Sequence, residues 1–347
     1  MNIREELEKR EERELSSYAT KASLTKGRAV PETPDFIRTC FMRDRDRIIH
    51  SKSFRRLKHK TQVYIAPDND HYRTRLTHTL EVSQISRTVG KALNLNTDLI
   101  EAIALGHDVG HTPFSHTGEE VLNKLVPGGF RHSENSVRVL TKIEQSKRGA
   151  GLNLTHETLQ GILYHSGLDR EDSEYNTLEG QIVRVSDKIA YIQHDIDDSV
   201  RAEALKIEDI PKEYLDILGY GHSERISTLV MNLVQNSRKN FDGGNYKISL
   251  SPSINDALKG LRQYMFNNVY RGSLCQLERE RAIHVVNYLF NHFERNYEEL
   301  PEFYLKIAQG EGIKRGVADY ISGMTDNYCT AIFKELVLPR SYIKISR

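Results

Sequence analysis

Cysteine is scarce in this chain of 347 residues: Cys40, Cys275 and Cys329 are widely spaced and odd in number. That excludes a cysteine-rich zinc site and fits a reducing, cytoplasmic setting rather than a disulfide framework. Long apolar runs are missing too. No stretch reaches the roughly eighteen apolar residues of a membrane-spanning helix, so no membrane partner is expected. The first ten residues are densely charged and hold no apolar segment, which predicts no secretory signal. Nor does one sign of charge dominate. With 49 basic against 48 acidic residues the formal net charge is +1, and nothing global demands nucleic acid or an anionic surface. What is present is length, enough for one large domain or two around a buried core.

Periodicity predicts an all-α chain. Residues 1–16 alternate charge and read as an exposed, fraying helix; Ser17 to Pro34 reads as an irregular arm. Between Arg43 and Lys60, eight basic residues stand against Asp44 and Asp46, a local excess of +6. Phosphate binding and intramolecular ion pairing both explain such a run. Thr61 to Arg75 reads as a loop. A helix then starts near Leu76, with His78, Val82, Ile85, Val89 and Leu93 on one apolar stripe. The next runs from about Asp98 to His107 behind a Thr97 cap, and Pro113 leads into a turn carrying His116 and Glu119.

Residues 130–142 begin another helix, 142–153 read as loop, Thr155 to His165 as a short helix, and Ser166 to Asn176 as a polar loop. From Thr177 to about Ala204, Ile182, Val185, Ile189, Ile192 and Ile196 form a continuous stripe. Asp187, Tyr191, His194 and Asp195 share the opposite side. That side is either the wet face of an amphipathic helix or the wall of an internal pocket. Further helices follow over 222–237, 254–271 and 277–297, then shorter ones to the end, with Phe241 to Asn245 as an interruption. The expected organisation is an arm (1–40), a core (41–204) and a helical C-terminal region packed on it (205–347).

The densest chemistry lies between Leu105 and Glu120. His107 and Asp108 are adjacent, and His111, His116 and Glu119 follow within one short stretch. Neutral imidazole and ionised carboxylate are common ligands for divalent metals. Neighbouring helical residues point about 100° apart, so a His-Asp pair needs partners from other elements. A single histidine on an apolar stripe is ordinarily a satisfied core residue, yet His78 and Asp187 would complete a His…His-Asp…Asp set. This set resembles that of the HD metal-dependent phosphohydrolase superfamily.

The resemblance narrows with Phe54-Arg-Arg-Leu57, Lys60-Thr-Gln-Val63, Arg73 through Val82, Pro113-Phe-Ser-His116, Asp187-Lys-Ile-Ala-Tyr191 and His194-Asp-Ile-Asp-Asp198. In this order the segments resemble the deoxyguanosinetriphosphate triphosphohydrolase-like (dNTPase) family, densely over residues 40–200 and more weakly as far as Tyr320 to Asp326.

The resemblance implies an HD-domain helical bundle with a helical C-terminal extension. It implies one divalent ion (Mn, Mg, Fe, Zn or Ni) on His78, His107, Asp108 and Asp187. It also implies water attack at the α-phosphorus of dGTP or several dNTPs, releasing deoxynucleoside and tripolyphosphate. His116 matches the family's catalytic histidine, the donor to the leaving 5′-oxygen, and Glu119 the acid that orients it. Arg75 matches an α-phosphate contact, Lys188 a phosphate contact, Tyr191 and Asp195 residues around the sugar, and Gln62 a position beside sugar or base. His111 reads as a phosphate contact, a support for the ligands or a helix-end residue.

His132 and Glu134 rank second, near the pocket. His50, His59, His71, His156 and His165 are expected to be structural or at the surface. A homo-oligomer, often a hexamer, and a dNTP activator are further implications, with single-stranded nucleic acid as a candidate partner of the basic run. Two other readings compete: an HD phosphohydrolase for monophosphates, cyclic dinucleotides or a guanosine alarmone, and a nucleotide- or nucleic-acid-binding module with a non-catalytic metal site.

Overall fold

Helices form wherever the apolar stripes run, and the stripes decide how they pack. The computed structural model describes residues 2–62, 72–146, 149–166, 177–270 and 272–339. Among the described residues the helices are α1 (Ile3–Glu14), α2 (Cys40–Ile49), α3 (Lys52–Arg56), α4 (Arg75–Ala92), α5 (Thr97–Gly106), α6 (Ser115–Leu125), α7 (His132–Arg138) and α8 (His156–Leu163). They continue with α9 (Leu178–Arg201), α10 (Lys212–Leu218), α11 (His222–Asp242), α12 (Pro252–Met265), α13 (Ser273–Arg295), α14 (Glu302–Glu311), α15 (Ile313–Ser322) and α16 (Asp326–Val337). A minimal antiparallel pair, β1 (Gln145–Ser146) and β2 (Gly149–Ala150), interrupts the expected loop after α7. The all-α expectation holds, and no described helix is long and apolar enough to cross a membrane. The loops expected over 63–71 and 167–176, including His71, lie outside the described residues, as does the side chain of Cys275.

The central layer is α4, which packs against both α5 and α9. Its stripe of Val82, Ile85 and Val89 is buried, as are Ile182, Ile189, Ile192 and Ile196 of α9. They share one apolar cluster with Leu229 and Leu233 of α11 and Leu261 and Met265 of α12. A second cluster joins Val121 and Leu122 of α6 to Val286, Leu289 and Phe290 of α13 and Val317 and Ile321 of α15. The helix carrying His116 is therefore seated on the C-terminal helices, not on α4 and α9.

Several local expectations are corrected. Asn96, not Thr97, caps α5: its side-chain oxygen accepts the N–H groups of Asp98 and Leu99 at 3.2 and 3.3 Å. Thr97 is the first helical residue. The segment after Pro113 is not a turn but the first turn of α6. The N-terminal segment is tied down rather than fraying. Asn2 closes a capping box on α1, and Ser16 N–H donates to Asn94 O at 2.9 Å.

Beyond α1, the irregular arm delivers donors to three buried carboxylates. Thr20 reaches Glu179 at 2.8 Å, Thr25 reaches Glu157 at 2.7 Å, and Arg28 pairs with Asp44. Burial of a carboxylate demands such partners. The first part of the basic run is consumed the same way. Arg43 and Arg47 pair with Glu32 and Arg45 with Asp46, Asp98 and Glu101, so ion pairing accounts for the arginines of α2.

Candidate active site and metal centre

His78 on α4, His107 and Asp108 just past α5, and Asp187 on α9 converge in the interior. His78 Nε2 lies 3.1 Å from Asp187 Oδ1 and 3.8 Å from Asp108 Oδ2. His107 Nε2 lies 3.4 Å from Asp108 Oδ1 and 3.8 Å from Asp187 Oδ1. The outer nitrogens decide the tautomers. His107 Nδ1 is 2.6 Å from the Ala104 carbonyl; a carbonyl only accepts, so Nδ1 carries the proton and Nε2 presents a lone pair. His78 Nδ1 meets His194 Nδ1 at 3.3 Å, and His194 Nε2 meets the Glu81 carboxylate. Burial pushes the His194 pKa down to about 4, so the ring is neutral, donates to Glu81 and accepts from His78. His78 Nε2 is then also a bare lone pair.

Two lone pairs and two carboxylates thus face one another with no proton between them. Burial alone would raise the pKa of Asp108, yet the Arg75 guanidinium, donating at 2.7 Å, holds it well below the usual carboxylate range. Asp187 Oδ1 is approached by both free ring nitrogens, His78 Nε2 at 3.1 Å and His107 Nε2 at 3.8 Å. The buried His107 Nε2 has no hydrogen-bond partner among the described residues. These residues could hold a divalent cation, and their donor chemistry fits one. Gly110 lets the loop close over it, because a Cβ there would collide with the backbone nitrogen of Ser136.

A second group adjoins the first. His116 Nδ1 lies 3.3 Å and His132 Nδ1 3.0 Å from Glu119 Oε2, while His132 Nε2 lies 3.2 Å from His165 Nε2. His165 donates from Nδ1 to Ile162 O at 2.6 Å. Burial, then His107 and His132, push its pKa down to about 3. His132 must therefore donate from both nitrogens, to Glu119 and to His165. In accord, its pKa is raised: burial lowers it, but Glu119 outweighs that. Glu119 in turn is held well below the carboxylate range, against burial, by His132 and His116. His111 and His132 stack with centroids 4.0 Å apart and planes 15° apart. One ligand atom each from His111, His116, Glu119 and His132 lies within 4.8 Å of the others, and with His132 protonated on both nitrogens the group is set for proton handling.

Both groups border one cavity of about 830 Å³. Of the expected residues, Gln62, Arg75, His78, Asp108, His111, His116, Asp187, Lys188 and Tyr191 line it. Arg75 donates to Asp108 and Ser115, each at 2.7 Å, and its buried Nε has no partner among the described residues. Asp195 is fully buried and does not line the cavity; it accepts from the Tyr270 hydroxyl. Burial, then Asp198, push its pKa well up.

Comparison with known proteins bears directly on this arrangement. The HD domain family matches residues 75–192 and the phosphohydrolase-associated domain residues 248–335. A deoxyguanosinetriphosphate triphosphohydrolase-like protein from Clostridium tetani is 54% identical over 345 residues, covering 99% of this chain and 98% of its own. Its namesake from Clostridium perfringens is 55% identical over 340 residues, covering 98% and 99%. This chain belongs to the deoxyguanosinetriphosphate triphosphohydrolase-like family. The likeness extends beyond close relatives, since the namesake from Desulfatibacillum aliphaticivorans is 41% identical over 98% of this chain and 99% of its own. As an HD-domain family member the protein is a metal-dependent phosphohydrolase.

In this deoxyguanosinetriphosphate triphosphohydrolase-like chain, the structure gives three histidines a closer part in the site than sequence reasoning assigns them. His165, expected to be structural or at the surface, is buried and lines the cavity. His132 is central rather than of second rank, and His194 supports His78. Their short-range sequence context carries no metal-ligand spacing; only the approach of α7, α8 and α9 brings them together. Glu134, by contrast, lies exposed, as do His50, His59 and His156.

Proposed function

We propose that this protein hydrolyses deoxynucleoside triphosphates, dGTP or several of them, to a deoxynucleoside and intact tripolyphosphate. The observation carrying this reading is the single cavity that His116, the inward carboxylates, Arg75 and Lys188 all border. The relatives' names accord with it.

His78, His107, Asp108 and Asp187 would hold the divalent ion. When bound, such an ion polarises a phosphoryl oxygen and eases deprotonation of water. Arg75 and Lys188 offset the charge of the triphosphate. Burial, then Arg184, push the Lys188 pKa down to about 8, which still leaves a cation at neutral pH. Glu119 stays ionised and accepts from His116 Nδ1, so the acid form of His116, protonated on both nitrogens, carries its transferable proton on Nε2. As water attacks the α-phosphorus, losing a proton to solvent, and the P–O5′ bond breaks, His116 gives its own proton to the 5′-oxygen. The nucleoside regains its 5′-hydroxyl, and the water oxygen stays on tripolyphosphate.

Tyr191 borders the cavity with its ring centroid 6.2 Å from that of His116, where an aromatic wall excludes a 2′-hydroxyl. Tyr191→Ala is expected to lower the dGTP/GTP ratio of kcat/KM by roughly tenfold or more; unchanged selectivity removes Tyr191 from sugar discrimination. Product analysis with Mn²⁺, each dNTP singly and then all four together, tests the reaction itself. Tripolyphosphate with deoxynucleoside is the expected result. Release of orthophosphate, or hydrolysis of monophosphates alone, would refute it.

A further inference from the structure

The segment Tyr320 to Asp326 borders no part of the cavity, yet its last residue sits where three segments meet. Asp326 opens α16, is buried, and turns both carboxylate oxygens inward. Oδ1 accepts the Phe114 N–H at 3.0 Å. Oδ2 accepts the Thr61 N–H at 3.1 Å and the Thr61 hydroxyl at 2.7 Å. A second tie joins the same segments: the buried Lys60 ammonium donates to His111 O and, at 2.8 Å, to Ser322 O.

What these ties hold is a strained corner. Phe114 and Ser115 follow each other at φ values of 59° and 58°, a left-handed conformation that residues with a Cβ avoid. His116 is the next residue. Such a pair persists only where the surroundings over-determine it. Ser115 has its own supports, since its hydroxyl bonds Arg75 at 2.7 Å and Gln62 O at 2.8 Å, and its carbonyl accepts from Thr112 at 2.8 Å. The N–H of Phe114 is turned to Asp326. Thr61, held by the other oxygen, immediately precedes Gln62 of the cavity wall.

We propose that Asp326 is a positioning residue. From the C-terminal region it locks the Phe114–Ser115 corner and so aims His116 at its substrate. The inference rests on His116 being the proton donor. A displacement of about 1 Å in a catalytic group costs on the order of 10²-fold in rate, which sets the scale of the effect.

The test compares Asp326→Asn, His116→Ala and the double variant, each below its unfolding midpoint. Asn is isosteric, but its amide NH₂ must face either the Phe114 N–H or the Thr61 N–H, so one contact is lost. Asp326→Asn is expected to lower kcat roughly 10- to 100-fold, to change KM less, and to leave bound metal at the wild-type level. The double variant is expected to be no slower than His116→Ala alone, because a misaimed donor cannot be lost twice. Thr61→Val, which removes one of the three bonds, is the milder variant should the amide fold poorly, with a few-fold loss of kcat expected. Wild-type kcat in both Asp326→Asn and Thr61→Val, or multiplicative losses in the double variant, overturns the inference. If His116→Ala itself keeps wild-type kcat, the donor reading falls and this inference with it; if only the Asp326 and Thr61 variants are unimpaired, the inference falls alone.

Discussion

His107→Ala is expected to lose bound metal and turnover together. His107 offers a buried lone pair with no partner among the described residues, 3.4 Å from one carboxylate oxygen and 3.8 Å from the other. Its removal leaves two carboxylates and one imidazole, with a void where the fourth donor stood. The drop in metal affinity should exceed the roughly 10- to 100-fold that follows loss of an outer hydrogen-bond partner. Asp187→Ala should behave alike, since it removes the carboxylate that both histidines approach.

Metal content after dialysis, read beside activity, decides the point; wild-type metal in either variant would show that the ligands were misassigned. Stability offers a readout independent of turnover. In the wild-type protein four acceptors face one another, so a chelator should lower the melting temperature, as for any ligand bound only by the native state. In His107→Ala the chelator should change it little.

His116→Ala is expected to keep its metal and lower kcat by roughly 10²- to 10⁴-fold, the usual worth of a positioned general acid. The side chain is more than half exposed, so its removal leaves no buried cavity and little stability is at stake. The charge pattern behind it stays intact, because Glu119 keeps His132 at 2.9 Å. Equilibrium binding of a non-hydrolysable dNTP analogue should therefore change little while the rate collapses. An unchanged kcat would remove His116 from proton transfer and point to another donor in the same cavity.

Much of this is legible in the amino-acid sequence. Helix formation is local, so the stripes of α4 and α9 are readable from spacing, and the set of His78, His107, Asp108 and Asp187 is readable through the family resemblance. Departures cluster where the outcome depends on distant partners. Pro113 reads as the entry to a turn, yet α6 starts at Ser115, because Asp326, Gln62 and Arg75 stabilise a corner that neither Phe114 nor Ser115 would adopt alone. The polar side of α9 is ambiguous in sequence for the same reason. Whether Asp187 and Tyr191 meet water or a cavity depends on what the other helices bring against them.

Periodicity alone establishes an all-α chain, since it acts within a few residues along the backbone, and the family resemblance adds the HD-type donor set. The protonation pattern that makes the set work belongs to the tertiary structure. A histidine's free nitrogen is chosen by whatever its other nitrogen touches: Ala104 O for His107, His194 for His78, Glu119 and His165 for His132. Except for Ala104, those partners come from separate helices or distant loops, and only their packing decides which ring nitrogen carries a proton and which presents a lone pair.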